Sequence, residues 1–469
     1  MSMATRNTDV VVIGGGMGGY SAAVRVAQLE GKVILVERNR IGGICLNKGC
    51  IPTVALLKSA EIFSNSKNAR EFGINVGNVS IDFPMVVKRK NELVDSLVGG
   101  IENLVKASGI DVMRGTARIT APGVVEIVNR HGSTVVKTKK IIISTGSTCS
   151  RSIQNVAGKV VAADEAFDFD NLPNGVLIVG GDEMGVQFAS VFNLFGVQVV
   201  LAERSNRLLP KEDEEVSTLF QEIMKSSNVK VMVDTSVKKI VDDRKTGRKV
   251  MLQTKHGEEE VSVEEIILAT DRTPNSKDLG LEKINLALDE TGKIQVNQRM
   301  ETNVPGIYAV GDVVGKFMLT HVASTEGVIA AENAMGKNRE MSYRVVPRCI
   351  FTDPSVASVG LTEKQSVEQG YDVKIGRFPF ESNAFSHIMG TMGGLIKIIA
   401  EAKHGEVLGV HIIGPGATEL IHEAALAMKL ETTVEDIANT IHGHPTLAEA
   451  FKDAASRMHL WWSVGENQS

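Results

Sequence analysis

Asp9-Val10-Val11-Val12-Ile13-Gly14-Gly15-Gly16-Met17-Gly18-Gly19 joins a β-branched run of buried-strand length to a glycine-rich turn, and the apolar pattern from Tyr20 to Leu29 continues it as a helix. Lys32-Val33-Ile34-Leu35-Val36 predicts a second strand ending at Glu37, twenty-three residues after Gly14. Strand, glycine turn, helix and strand in this order make a dinucleotide-binding unit. Gly14 permits the tight turn, Gly16 lets backbone approach a pyrophosphate at the helix N-terminus, and Gly19 lets helix and strand pack closely. Glu37 stands where a carboxylate can hold a ribose hydroxyl.

The unit recurs 166 residues later, where Val176-Leu177-Ile178-Val179 leads into Gly180-Gly181-Asp182-Glu183-Met184-Gly185, a helical stretch to Phe195, a strand from Val197 to Ala202, and Glu203. Gly14, Gly19 and Glu37 therefore align with Gly180, Gly185 and Glu203, whereas Gly16 aligns with Asp182. A shorter repeat at an offset of 125 matches Ile141-Ile142-Ile143-Ser144-Thr145-Gly146 to Ile266-Ile267-Leu268-Ala269-Thr270-Asp271, again with a glycine answered by an aspartate. The stretches Val124 to Lys139 and Val250 to Val263 alternate and carry turn residues, which predicts antiparallel ribbons or crossovers.

Gly42-Gly43-Ile44-Cys45-Leu46-Asn47-Lys48-Gly49-Cys50-Ile51-Pro52 follows the first unit directly. In a regular helix, five residues advance ~7.5 Å, beyond the ~4.4–6.8 Å between disulfide Cα atoms, so a redox pair here needs a tight turn, which Gly49 permits. From Pro52 the chain reads as a helix with proline in its first turn, and the positive end of its dipole would favour a thiolate nearby. Two buried structural cysteines or half a metal site are the alternatives, but no second cysteine pair completes a zinc site.

Length and composition bound the rest. The 469 residues suggest roughly three domains. A formal charge of −5 with mixed signs gives no basic footprint for nucleic acid. Four cysteines do not make a secreted disulfide scaffold, and the apolar run Val10 to Ile13 is too brief for a signal peptide or a membrane span. A cytoplasmic protein with small-molecule or protein partners is expected. Further on, Gly311-Asp312 ends the apolar strand Gly306 to Val310, strands are expected at Gly394 to Ile399 and Val407 to Ile413, and helices at Ala417 to Met428 and Val434 to Thr440. His444 and Glu449 can form an imidazole–carboxylate pair that raises histidine basicity and fixes its tautomer.

Across nearly the whole chain, GGICLNKGCIP at Gly42 to Pro52, the first glycine turn, Ile143 to Gly146, Gly306 to Asp312, Leu319-Thr320-His321-Val322-Ala323, and His444-Pro445-Thr446 through Glu449 resemble the FAD-containing pyridine nucleotide–disulfide oxidoreductases of the dihydrolipoamide dehydrogenase type. The resemblance implies an α/β fold with two Rossmann-like dinucleotide-binding domains plus a C-terminal α+β dimerisation domain. The expected division is 1–149 for FAD and the redox disulfide, 150–274 for an NAD-binding-like domain, 275–343 for a central domain completing the FAD site, and 344–469 for the interface. It further implies that Cys45 exchanges with dihydrolipoamide, that Cys50 lies against the flavin, and that His444, held by Glu449, serves the other subunit of a homodimer as acid and base. Gly14, Gly16, Gly19, Glu37, Gly146, Gly311, Asp312 and Ala323 would hold FAD, and Gly180, Gly185 and Glu203 would hold NAD. The partner would be a lipoyl-bearing carrier protein or free dihydrolipoamide, with no nucleic acid, membrane or metal.

Several positions depart from the family pattern. A lysine two residues after the disulfide proline and a glutamate in the second helix are here Val54 and Gln187. Their joint loss is coherent, because either charge left alone and buried costs roughly 3–5 kcal/mol. Glu183 replaces the aromatic that covers the nicotinamide pocket, and Asp182 and Asp271 replace its glycines. These changes raise two further readings: a lipoamide-linked flavoprotein with weak or no NAD(H) use and another electron partner, or a non-catalytic flavoprotein subunit. Cys149 and Cys349 are expected to be packing residues, and Trp461 and Trp462 to pack in the core or at the dimer interface.

Overall fold

The computed structural model describes residues 4–458, except 154, 155, 157, 159, 168, 244–246 and 271. Its first sheet is built on β1 (Ala4–Ile13), whose Val10, Val11 and Val12 are fully buried. Complete burial of each such side chain contributes about 1.5–3 kcal/mol. β2 (Val33–Glu37) and β3 (Asp111–Arg114) extend the sheet in parallel on one side. On the other side, β6 (Gly132–Ile143) pairs in parallel with β1 and in antiparallel with a meander of β4 (Thr116–Ala121) and β5 (Val124–Asn129).

Helices α1 (Met17–Gln28), α2 (Gly43–Asn47), α3 (Cys50–Asn68) and α4 (Phe83–Ala107) fill the connections. α1 begins three residues before the expected Tyr20, because Gly18 and Gly19 are already helical and buried. Alternation along β1 divides its side chains between two cores. Val10 and Val12 pack with Ala22, Ala23 and Val26 of α1, and Val11 and Ile13 pack with Ile119, Ile127 and Leu281.

A small ribbon of β7 (Ser147–Cys149) and a later strand leads out to the second sheet. That sheet is parallel in the order β11-β10-β9-β15-β8, formed by β8 (Val161–Ala162), β9 (Gly175–Val179), β10 (Gln198–Ala202), β11 (Lys230–Met232) and β15 (Glu265–Leu268). α5 (Glu183–Leu194) and α6 (Glu214–Ser226) are its first helices. β12 (Ser236–Asp243), β13 (Gly247–Thr254) and β14 (Gly257–Val263) form an antiparallel ribbon, which for Val250 to Val263 is the first of the two expected arrangements, and β16 (Arg272–Pro274) closes back on β7. The chain then returns to the first sheet, where β17 (Ile307–Ala309) pairs with the end of β6 and α7 (Thr320–Ala334) packs on α1.

The remaining unit is an antiparallel sheet in the order β18-β19-β22-β21-β20. Its strands are β18 (Arg348–Ile350), β19 (Ser355–Gly360), β20 (Val373–Pro379), β21 (Leu395–Glu401) and β22 (Val407–Gly414). The helices are α8 (Glu363–Glu368), α9 (Ala384–Met389), α10 (Ala417–Lys429), α11 (Val434–Asn439) and α12 (Glu449–Ser456). Lys397 of β21, with a side chain 3% exposed, joins this sheet to α6 by contacting Asp213 at 2.8 Å, Glu363 at 2.7 Å and Glu215 at 3.1 Å.

The fold is thus mixed α/β with two nucleotide-type sheets, the first parallel with an antiparallel meander at one edge and the second wholly parallel, and a C-terminal α+β unit. Among the described residues no helix is long and apolar enough to cross a membrane.

Candidate active site

The cysteine segment is pinned to the first glycine turn. Gly42 N–H donates to Gly15 O at 2.8 Å, and a Cβ on Gly43 would come within 2.8 Å of Gly16 Cα. Cys45 lies in α2, a short helix hidden from sequence reading by the flanking glycines. The chain then reverses through Lys48 and Gly49, whose N–H groups both donate to Ile44 O, and Cys50 becomes the first residue of α3 with Gly49 as its cap. Pro52 stands in the first turn of that helix, where its missing N–H costs nothing.

A second helix start meets the same sulfur. Thr320 opens α7, and its Oγ1 lies 3.7 Å from Cys50 Sγ. The Cys45 thiol, donating to Cys50, and then Thr320 bring the Cys50 thiol down to about 6. Cys45 is pushed up, first by that same hydrogen bond and then by burial. One sulfur therefore holds charge near neutral pH while its neighbour holds a proton. The Cys50 thiolate should appear as pH rises through about 6. Thr320→Ala removes a donor to the charged form, so the midpoint should move up by as much as about one unit. Ultraviolet thiolate absorbance of the reduced protein measures it, and an unmoved midpoint would show that Thr320 does not hold the charge.

The first glycine turn fits a dinucleotide on its own geometry. Gly14 has φ +104°, and a Cβ there would meet Ser144 O at 2.2 Å, while one on Gly19 would meet Gly14 O at 1.8 Å. Gly16 is different: the nearest atom to an added Cβ is Gly43 Cα at 3.8 Å, so the protein's own packing would accept a side chain. Its bareness leaves a seat at the N-terminus of α1, which carries no acidic residue in its first turn. Glu37 holds the turn from below, accepting from Gly15 N–H at 2.7 Å and Asn39 N–H at 2.6 Å. These residues fit FAD.

Asp312 is placed by groups that no motif announces. Ser147 Oγ donates to its Oδ2 at 2.5 Å, and Arg272 donates to the same Ser147 oxygen at 2.7 Å. Gly311 N–H donates to Glu326 at 2.6 Å, and the other oxygen of Glu326 accepts from Tyr343 at 2.6 Å. Gly146 takes φ +70° beside this cluster, its carbonyl accepting from Asn275, and Ala323 of α7 lies against Gly18. Cys149 is buried in contact with Arg272 and Asp164, and Cys349 is half-buried near Thr418 O.

His444 Nδ1 lies 2.9 and 3.1 Å from the two oxygens of Glu449, the first residue of α12. The carboxylate accepts, so Nδ1 carries the hydrogen and Nε2 keeps a lone pair. Burial alone would raise the Glu449 carboxyl, but the Thr446 N–H and the His444 ring more than offset it and hold it below its ordinary value. The His444 side chain is 72% exposed, and among the described residues no hydrogen bond or ion pair joins it to either cysteine. His442, unassigned by sequence reading, forms a second pair with Glu423 at 2.8 Å.

The second glycine turn repeats the first in backbone. Gly180 has φ +112°, an added Cβ on Gly185 would meet Gly180 O at 1.8 Å, and Glu203 accepts from Gly181 N–H at 2.5 Å and Ser205 N–H at 2.6 Å. Gly180, Gly185 and Glu203 thus fit the adenosine end of a nucleotide. At the position matching Gly16 stands Asp182, the N-cap residue of α5, whose carboxylate pairs with Lys211. Asp271, Trp461 and Trp462 lie outside the described residues.

The comparisons agree with this geometry. Residues 8–327 match the pyridine nucleotide-disulphide oxidoreductase family, and residues 346–455 match the dimerisation domain of the same family. The chain is 40% identical over 463 residues to a dihydrolipoyl dehydrogenase of Bacillus subtilis, covering 95% of this chain and 97% of that protein. A mitochondrial dihydrolipoyl dehydrogenase of Pisum sativum is 38% identical over 455 residues, covering 95% and 90%. The solved structure of RclA, an HOCl-induced flavoprotein disulfide reductase from Escherichia coli, superposes with a TM-score of 0.85 at 26% identity, covering 96% of this chain and 99% of that one. The family and the dihydrolipoyl dehydrogenases use FAD and NAD. A cysteine pair with one member at a helix start, a glycine turn shaped for a dinucleotide and the matches along both halves make this chain a member of the pyridine nucleotide-disulphide oxidoreductase family.

Proposed function

We propose that this enzyme oxidises dihydrolipoamide to lipoamide, with electrons passing through Cys45–Cys50 and FAD to NAD. The observation that carries this reading is the asymmetric cysteine pair, with Cys50 at the start of α3 and 3.7 Å from Thr320 at the start of α7, and Cys45 beside it in α2. FAD, when bound, accepts an electron pair from the reduced thiols. With the pair oxidised, a lipoyl thiol loses its proton to Nε2 of His444 and attacks Cys45 Sγ. The Cys45–Cys50 bond breaks, and Cys50 leaves as the thiolate because its acidity makes it the better leaving group. The second lipoyl thiol then attacks the mixed disulfide, releasing lipoamide and leaving Cys45 as the thiol. One electron pair and two protons have entered the protein.

The acid–base role of His444 and the FAD role of the first turn rest on the contacts described above, and the four-part division at residues 149, 274 and 343 belongs to the same reading. His444 acts on the partner's disulfide in a homodimer, and the substrate is a lipoyl-bearing carrier protein or free dihydrolipoamide. A cytoplasmic location suits the reactive pair in a chain with four cysteines. An anaerobic titration tests the function. Dihydrolipoamide should reduce the flavin, with up to two equivalents taken up per site because Cys45–Cys50 and FAD each accept one electron pair, and NAD should restore the oxidised spectrum. A flavin untouched by dihydrolipoamide would overturn this reading.

A further inference from the structure

The two glycine turns are an internal control for each other. Gly16 and Asp182 have the same backbone conformation, φ −69°, ψ −176° and φ −86°, ψ −174°, at the same place before the same kind of helix. At the first turn the seat before the helix is bare. At the second it holds a carboxylate. Asp182 Oδ2 pairs with Lys211, while its Oδ1 is buried with no hydrogen-bond partner. Glu183, next in the chain and in the first turn of α5, pairs with Arg348, which reaches in from β18 of the C-terminal sheet and also lies 2.8 Å from Glu212.

Charge opposes a pyrophosphate here. With all five groups ionised, Asp182, Glu183 and Glu212 outnumber Lys211 and Arg348 by one negative charge. The N-terminal dipole of α5, which would favour phosphate, already faces two carboxylates of its own chain. Burial pushes the Glu183 carboxyl up, against the pull of Arg348, while Arg348 is held charged by its two acidic neighbours in spite of burial. A cavity of about 930 Å³, lined in part by Lys211, Glu212 and Arg348, opens beside the cluster.

We propose that Asp182, paired with Lys211, and Glu183, paired with Arg348, are specificity-determining residues of the electron-acceptor half-reaction, occupying the second turn in place of a dinucleotide's pyrophosphate. This deepens the proposed function and rests on it. A pyridine nucleotide enters by displacing these carboxylates and therefore binds weakly, whereas an acceptor without a pyrophosphate meets no such penalty. Arg348 makes the C-terminal sheet part of the acceptor site.

Equilibrium dialysis of ADP-ribose against the FAD-loaded protein tests the proposal without turnover, because this ligand carries the pyrophosphate but no nicotinamide. Asp182→Gly should tighten ADP-ribose by about tenfold or more. Asp182→Asn, which keeps the shape and removes the charge, should give a smaller gain and serves if the glycine variant is unstable. Lys211→Ala leaves Asp182 unneutralised and should weaken binding by several-fold. FAD content and Tm, recorded for each variant, separate these effects from damage to the fold. The proposal is overturned if both Asp182 variants bind ADP-ribose within about twofold of the unmodified protein. Failure of the dithiol reaction would be seen separately, as a flavin that dihydrolipoamide does not bleach while the dialysis series still behaves as stated.

Discussion

Cys45→Ser should lower dihydrolipoamide oxidation by at least about a thousandfold, because a hydroxyl cannot form the mixed disulfide through which the electron pair enters. The variant should still bind FAD, since Cys45 lies in α2 and the cofactor seat is made by Gly14, Gly16, Gly19 and Glu37. Anaerobic stopped-flow bleaching by dihydrolipoamide, with the flavin content measured beside it, gives the ratio. Retention of even a tenth of the original rate would remove Cys45 from the path. Cys50→Ser should be as inactive but for another reason, having lost the sulfur that leaves.

His444→Ala should reduce turnover by roughly 10²- to 10⁴-fold, the usual range for loss of a positioned acid–base group. Glu449→Gln should cost less, because the amide still accepts a hydrogen bond from Nδ1 but no longer stabilises the protonated ring. The two halves of the machinery belong to different chains if the exposed imidazole serves a partner. Mixing inactive Cys45→Ser with inactive His444→Ala should then restore activity to at most about a quarter of the original, since half of the dimers are hybrid and each completes one of two sites. Subunit exchange is followed by mass spectrometry of differently tagged chains. Demonstrated exchange without recovered activity would place the whole site within one chain.

Much of the architecture was legible because it depends on local pattern. Val10 to Ile13 and Leu177 to Val179 are short β-branched runs closed by glycine, and such runs have few alternatives to a buried parallel strand. At β5–β6 and β13–β14 alternation and turn residues narrowed the choice to antiparallel ribbons or crossovers, and the chain forms ribbons. α2 escaped notice because it is one short helix between glycines, too brief for any periodicity to register.

The ion pairs were illegible for a different reason. Arg348 meets Glu183 from 165 residues away, Thr320 meets Cys50 from 270 residues away, and Ser147 meets Asp312 from 165 residues away. No spacing rule encodes such contacts, because the sheets bring them together only after each unit has formed. Asp182 could be singled out from the internal repeat and Glu183 from the family pattern, but that Glu183 is met by Arg348 of the C-terminal sheet and Asp182 by Lys211 could not.

Lys397 has a consequence for the way the molecule comes apart. Its ammonium is buried in β21 and shared among Asp213, Glu215 and Glu363, two of which belong to the start of α6 on the second nucleotide-type unit. Separating that unit from the C-terminal sheet would leave Lys397 with Glu363 alone and take its ammonium from Asp213 and Glu215, and breaking a buried pair of this kind costs about 3–5 kcal/mol. That is a large fraction of the stability of an ordinary domain. Melting either unit first carries this cost, so these contacts favour unfolding of the two units together.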